Sequence, residues 1–189
     1  MDHIFQVGDY FTAPDGTDVS AFLNATDITQ ADLPWGALGD VSIASGRVRA
    51  GVHSWVHLHP AVAQVTYMES GGLTVRMKDP DSADFYDNYI TSGQAVVARK
   101  GTLFQLRNDN DTDASLLYIA SPSYVFYVTG GNVVYDDAIL VSKTWDELKS
   151  RNYKVPKLNI NEADLRARRE SAQQALMRRK PASPPKNGD

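Results

Sequence analysis

Three of the chain's four histidines fall between Gly51 and Gly71. His57 and His59 are two positions apart, so on a β-strand both imidazoles point to one face. Gln64 follows beyond Pro60, near the start of an apolar alternating run from Val62 to Met68. Two imidazoles on one face, joined by a polar side chain from the next strand, can bind a divalent metal such as Fe, Mn, Ni or Zn. His57, His59 and Gln64 would be its ligands. Three protein ligands with an open position is a common build for a catalytic metal site. Without a metal, His57 or His59 can act as a general base near neutral pH. His53 shares their parity and is a further candidate ligand, acid/base group or rim residue.

Other side chains could complete such a site. Tyr118 offers a phenol for proton transfer, as do Tyr67 and Tyr124. Tyr67 and Glu69 have the opposite parity to Gln64 and should face outward. Arg47 and Arg49 share one face of a strand predicted over Val41 to Arg49. If that face is interior, either guanidinium could hold an anionic substrate, since its planar fork matches a carboxylate; otherwise the two arginines belong to a solvated face. Arg107 hints at the same anionic group. Trp55, Phe104 and Phe126 suggest aromatic walls and a substrate with an apolar part.

The elements that must position these residues are short strands. Alternating or apolar runs over 64–68, 73–77, 85–90, 95–98, 103–107, 116–120, 124–128 and 132–135 are separated by Gly-, Asn- and Asp-rich turns. Such spacing suits an all-β sandwich or jelly-roll barrel. Toward the N-terminus, Ile4 to Phe11 alternates weakly, Ala13 to Gly16 is a turn, and Asp18 to Leu23 is too short to type. From Thr144 the pattern becomes helical. Thr144 is an N-cap candidate ahead of Asp146 and Glu147, for a short helix to about Arg151. A second helix is expected over 161–180, with six basic and three acidic side chains and a thin apolar stripe. Residues 181–189 are rich in Pro and polar residues and should be disordered.

Two stretches carry a family resemblance. Gly51, His57, His59 and Gly71 are in register with the first motif of the cupin superfamily: Gly, five residues, His-x-His, three or four residues, Glu, six residues, Gly. Gln64 stands at the Glu position. Gly93, Gly101 and Asn108 match the second motif: Gly, five residues, Pro-x-Gly, two residues, His, three residues, Asn. There Arg99 replaces Pro, and Phe104 replaces the fourth ligand, His. The resemblance covers about residues 38–128 and implies a cupin-type double-stranded β-helix with a C-terminal helical extension. The implied boundaries are an N-terminal extension (1–37), a β-barrel (38–140), C-terminal helices (141–180) and a tail (181–189).

The resemblance also implies chemistry. A metal-assisted lyase, dehydratase, isomerase or cyclase acting on a small polar or anionic molecule is the first expectation. Replacing Glu by Gln leaves more positive charge on the ion, which favours Lewis-acid work. It also weakens affinity, so the metal could have been lost. A metal-dependent dioxygenase and a non-catalytic binding cupin are the alternatives. Assembly as a homodimer is a further implication.

Composition bounds the rest. A chain of 189 residues with 42% hydrophobic residues suits one folded domain with extensions. The net charge of −4 gives no electrostatic case for nucleic acid. The absence of cysteine excludes disulfides and thiolate metal sites. No apolar run reaches the ~18–20 residues of a membrane span, and the N-terminus lacks the features of a signal peptide. The expected location is therefore cytoplasmic.

Overall fold

The computed structural model describes residues 6–23, 41–122, 126–129, 132–135, 138–151 and 153. The helix expected over 161–180, the tail at 181–189 and Tyr124 lie outside these residues. Among the described residues there are thirteen short strands and one helix, and no helix is long and apolar enough to cross a membrane.

Two antiparallel sheets face each other. The first is six-stranded and joins β1 (Phe11–Thr12), β2 (Asp18–Leu23), β3 (Ser42–Val48), β10 (Ala114–Ser121), β5 (Ala63–Ser70) and β8 (Ala95–Ala98), in that order. The second is five-stranded, in the order β13 (Ile139–Ser142), β4 (Val56–Leu58), β9 (Leu103–Arg107), β6 (Gly72–Lys78) and β7 (Tyr86–Thr91). A separate hairpin pairs β11 (Phe126–Thr129) with β12 (Asn132–Tyr135). From β3 to β6 and again from β7 to β10 each strand passes to the opposite sheet, giving the jelly-roll sandwich that the spacing of the strands predicts.

Alternation along each strand decides what lies between the sheets. Val48, Met68, Leu73, Val75, Met77, Phe104, Leu106 and Leu116 form the buried core. Each such side chain is worth ~1.5–3 kcal/mol in area removed from water. The other face of the second sheet carries Val56, Leu58 and Leu103, which Trp145 and Leu148 of helix α1 (Trp145–Ser150) cover. The helix starts where the sequence predicts. Thr144 accepts a hydrogen bond from the Glu147 amide, and the Glu147 carboxylate accepts from the Lys143 amide and the Ser142 hydroxyl.

Two pairings cross the sequence-based boundaries. The N-terminal stretch adds strands at the edge of the six-stranded sheet, with β1 paired to β2 and β2 to β3 from Asp18↔Arg47 onward. Of the strand expected over Ile4 to Phe11, the described residues 6–10 are coil and the strand found is Phe11–Thr12; Ile4 and Phe5 lie outside the described residues. Pairing with β3, a tertiary event, decides this segment where local pattern is weak. At the other end, a barrel limit at 140 cuts through β13, whose pairing with β4 closes the second sheet.

Two motif residues have structural duties. Gly71 has φ of +85°, and a Cβ there would lie 3.1 Å from the Asp113 carbonyl oxygen, so only glycine fits without strain. Asn108 is fully buried. Its Nδ2 donates to the carbonyls of Val48 (2.9 Å) and Thr112 (2.8 Å), while its Oδ1 accepts from the amide of Asn110. It thereby ties the end of β3 to the β9–β10 turn.

Two outcomes follow from these contacts. Asn108→Ala leaves buried carbonyls unpaired and should cost ~2–4 kcal/mol in urea unfolding. On β6 and β7, a hydrogen bond from Arg76 is the main cause that holds the Asp87 carboxyl below its ordinary value. A lowered carboxyl contributes stability above the unfolded-state value, and this is lost as pH falls through the folded one. Asp87→Asn should therefore lower stability at neutral pH and flatten the fall in stability on the acid side, read by urea unfolding across pH.

Candidate functional site

The site is built around β4, a strand of three residues that is buried along its whole length. β4 lies between β9 and β13, with His57 paired to Phe104 on one side and to Leu140 on the other. Val56 and Leu58 point to the α1 side, so His57 points into the sandwich. His59, just past the strand, keeps the same parity. Both histidines are only 4% exposed. Their ring centroids are 5.4 Å apart, edge to face.

A set of backbone contacts fixes the orientation of His57. Its Nδ1 lies 2.8 Å from the Trp55 carbonyl oxygen. That oxygen can only accept, so Nδ1 carries a proton, and in the neutral imidazole Nε2 is the nitrogen with the lone pair. The same carbonyl accepts from the Ser54 hydroxyl at 3.0 Å. Ser54 Oγ in turn accepts from the Leu106 amide (3.0 Å), and the Ser54 carbonyl accepts from Gln105 Nε2 (2.7 Å). β9 therefore positions the histidine strand through buried hydrogen bonds as well as through its ladder.

Gln64 is the second residue of β5, in the opposite sheet, and is 6% exposed. Its Nε2 donates to Thr66 Oγ1 over a long 3.4 Å. His57, His59, Gln64 and Tyr118 line a cavity of about 190 Å³. Ser42, Ala44, Leu106, Ala120, Ala138 and Leu140 also contribute to it, as do Ala13, Asp15, Thr17 and Val19 from the N-terminal stretch. Tyr118 leans over Gly46, where an added Cβ would sit 2.4 Å from its ring. That glycine makes room for the phenol.

Phe104 is buried beside the imidazoles, with its ring centroid 4.1 Å from that of His57 and 5.3 Å from that of His59. It backs the histidine pair and belongs to the core, not to the cavity lining.

Among the described residues, no three His, Cys, Asp or Glu side chains converge as a metal-holding group. The donors that could hold a divalent ion are thus two imidazoles and the Gln64 amide. The Trp55 carbonyl bond fits this set to a metal, because a ligating imidazole usually donates its other N–H to a carbonyl or carboxylate.

Several sequence-predicted site residues lie elsewhere. Arg47 and Arg49 both pair with Asp18, at 3.1 and 3.3 Å, and Arg47 stacks on Tyr10. They sit outside the cavity because Val48, Gly46 and Ala44 take the inward parity of β3. His53 is on the surface, 2.6 Å from Asp109, which also pairs with Arg107. Gly51 and the short loop after it break the alternation that would have carried His53 inward. Trp55 packs under the Lys143 ammonium and does not line the cavity; its backbone carbonyl is the part that serves the site. Phe126 is in β11, and its side chain lies outside the described residues. Asp15 and Thr17 were missed. The turn signal at Ala13 to Gly16 was legible, but its place over the cavity follows only from the pairing of β2 with β3.

No protein-family model matches the chain, and no match is found among curated proteins. Solved structures do match. Peruvianin-I, a cysteine peptidase from Thevetia peruviana latex, is 14% identical over 71% of this chain and 72% of its own, with a TM-score of 0.53. Recombinant oxalate oxidase in complex with glycolate is 21% identical over 69% of this chain and 59% of its own, with a TM-score of 0.49. The Drosophila melanogaster CENP-C cupin domain is 14% identical over 62% and 74%, with a TM-score of 0.47. The likeness to Peruvianin-I, at this identity, is one of fold alone.

Ser54→Ala should remove the acceptor of the Leu106 amide and one donor to the Trp55 carbonyl. The expected result is a loss of ~1–3 kcal/mol in denaturant unfolding, with a shifted His57 Nδ1–H resonance in NMR spectra.

Proposed function

We propose that this chain, a cupin by fold, is an enzyme for a small molecule, with His57, His59 and Gln64 holding a divalent metal ion. The observation that carries this reading is the bond from His57 Nδ1 to the Trp55 carbonyl. In the neutral ring it leaves Nε2 as the ligating nitrogen of a residue that lines the cavity together with His59 and Gln64. When bound, such an ion supplies Lewis-acid polarisation of a substrate oxygen.

The chain's own residues supply the remaining functions. Tyr118 brings a phenol to the same cavity, suited to donating or accepting a proton at the reacting group. The bond to Thr66 engages the amide nitrogen of Gln64 and leaves its oxygen as the donor atom for a cation. Phe104 excludes water from behind the imidazoles, and Ala44, Leu106 and Leu140 offer an apolar seat for the substrate body. Lewis-acid and acid/base groups of this kind suit a lyase, dehydratase, isomerase or cyclase, which needs no co-substrate. The dioxygenase reading is weaker, because Gln64 and Phe104 replace the carboxylate and the fourth imidazole of the resembling motifs. A thiol peptidase reading has no support, because the chain contains no cysteine.

One observation favours a second reading, a cupin that binds its ligand without metal. Phe104 fills the position of the fourth ligand and packs against His57.

Elemental analysis of tag-free protein separates the two. Near-stoichiometric Mn, Fe, Ni or Zn, lost in the His57→Ala/His59→Ala double variant, is the expected result. Protein that holds no metal, and takes up none on titration, sinks the metal reading. Gln64→Glu adds a negative charge to the donor set and should tighten the ion by about tenfold or more in a competition titration.

A further inference from the structure

We propose that the cavity selects a neutral or cationic molecule that turns an N–H or O–H donor toward Asp15, and disfavours anions. The inference rests on the reading of this cavity as the substrate site.

Asp15 lines the cavity and is half-buried. Its Oδ1 accepts from the Thr17 amide (3.1 Å) and the Thr17 hydroxyl (2.8 Å), which folds the loop into a fixed turn. The Asp15 carbonyl accepts from the Trp55 amide at 2.8 Å, so this turn is pinned to the residue whose own carbonyl orients His57. The loop's bonds engage Oδ1. A carboxylate has acceptor capacity on both oxygens, and Oδ2 retains it for a ligand.

The rest of the lining strengthens the case. Among the described residues no Lys or Arg lines the cavity. The arginines that the sequence offered as anion holders, Arg47 and Arg49, are paired with Asp18. Asp15 does not join His57 and His59 in a metal-holding group. The carboxylate is therefore a separate polar contact from the imidazole pair. In a partly desolvated cavity, a second negative charge would be repelled more strongly than in water, while an N–H donor would gain a charge-assisted hydrogen bond. Asp15 is thus a specificity-determining residue.

The test uses three matched probes, benzylamine, benzyl alcohol and benzoate, titrated by calorimetry or ligand-observed NMR into the full chain treated with EDTA. Chelation removes any metal that would itself attract benzoate. The wild type should bind benzylamine at least about tenfold more tightly than benzoate, with benzyl alcohol between them. Asp15→Asn keeps an oxygen for Thr17 and should erase that preference, with an unchanged melting profile. Benzoate binding as tightly as benzylamine would overturn the inference, as would a preference that survives in Asp15→Asn, or no binding of any probe at millimolar concentration. If Asp15→Asn fails to fold, the ranking in the wild type decides alone. Because the probes are read without metal, a negative elemental analysis leaves this result standing, and a lost charge preference leaves the metal site standing.

Discussion

The Trp55 carbonyl is the point on which the site depends. It accepts from His57 Nδ1 and from the Ser54 hydroxyl, so one main-chain oxygen sets an imidazole's tautomer and its direction. A backbone acceptor cannot be replaced by a side-chain change, and it has no proton of its own to give. The tautomer of the neutral His57 ring is therefore built into the chain path between Gly51 and β4. What makes that path rigid is its burial: Ser54 is fully enclosed, and its groups are matched by Leu106 and Gln105 of the neighbouring strand. Buried polar groups specify a unique arrangement only when each has a partner.

The two faces of β4 meet different demands. Its outward residues, Val56 and Leu58, are sealed by α1 through Trp145 and Leu148. Its inward residue, His57, has Phe104 against one side and the cavity on the other. Helix capping at Thr144 thus supports the site indirectly, by holding the apolar cover over the strand that bears the histidine. Phe104 provides packing where the resembling motif would place an imidazole. It stabilises the wall and leaves the donor set without a formal charge.

Much of this was legible in the sequence, and the reasons for the rest are physical. Alternation put His57 and His59 on one face, and motif spacing placed Gln64 and Phe104 against them; the register His57↔Phe104 is the structural form of that spacing. The pairing of Arg47 with Arg49 on one face was also legible, but alternation does not say which face is interior. The parity of Val48 in the core settles it. β13 went unread because four residues, Ile139–Ser142, carry too little pattern to separate a strand from a loop. The Asp15 turn was readable as a turn and unreadable as part of a cavity, since that depends on partners far along the chain.

The pairing of β4 has a consequence for how the chain folds. Neither of the strand's neighbours is local: β9 follows after four intervening strands, and β13 comes last among the described strands. Three residues cannot hold an extended conformation alone, so the histidine strand acquires its shape only when both distant partners arrive. Such contacts carry a high loop-closure cost and tend to be made slowly. The cavity is in this sense a late product of the folding reaction, complete only after synthesis has passed Ser142. A nascent or cleaved chain lacking β13 would present β4 with one unpaired edge, and that edge is a template for association with other chains.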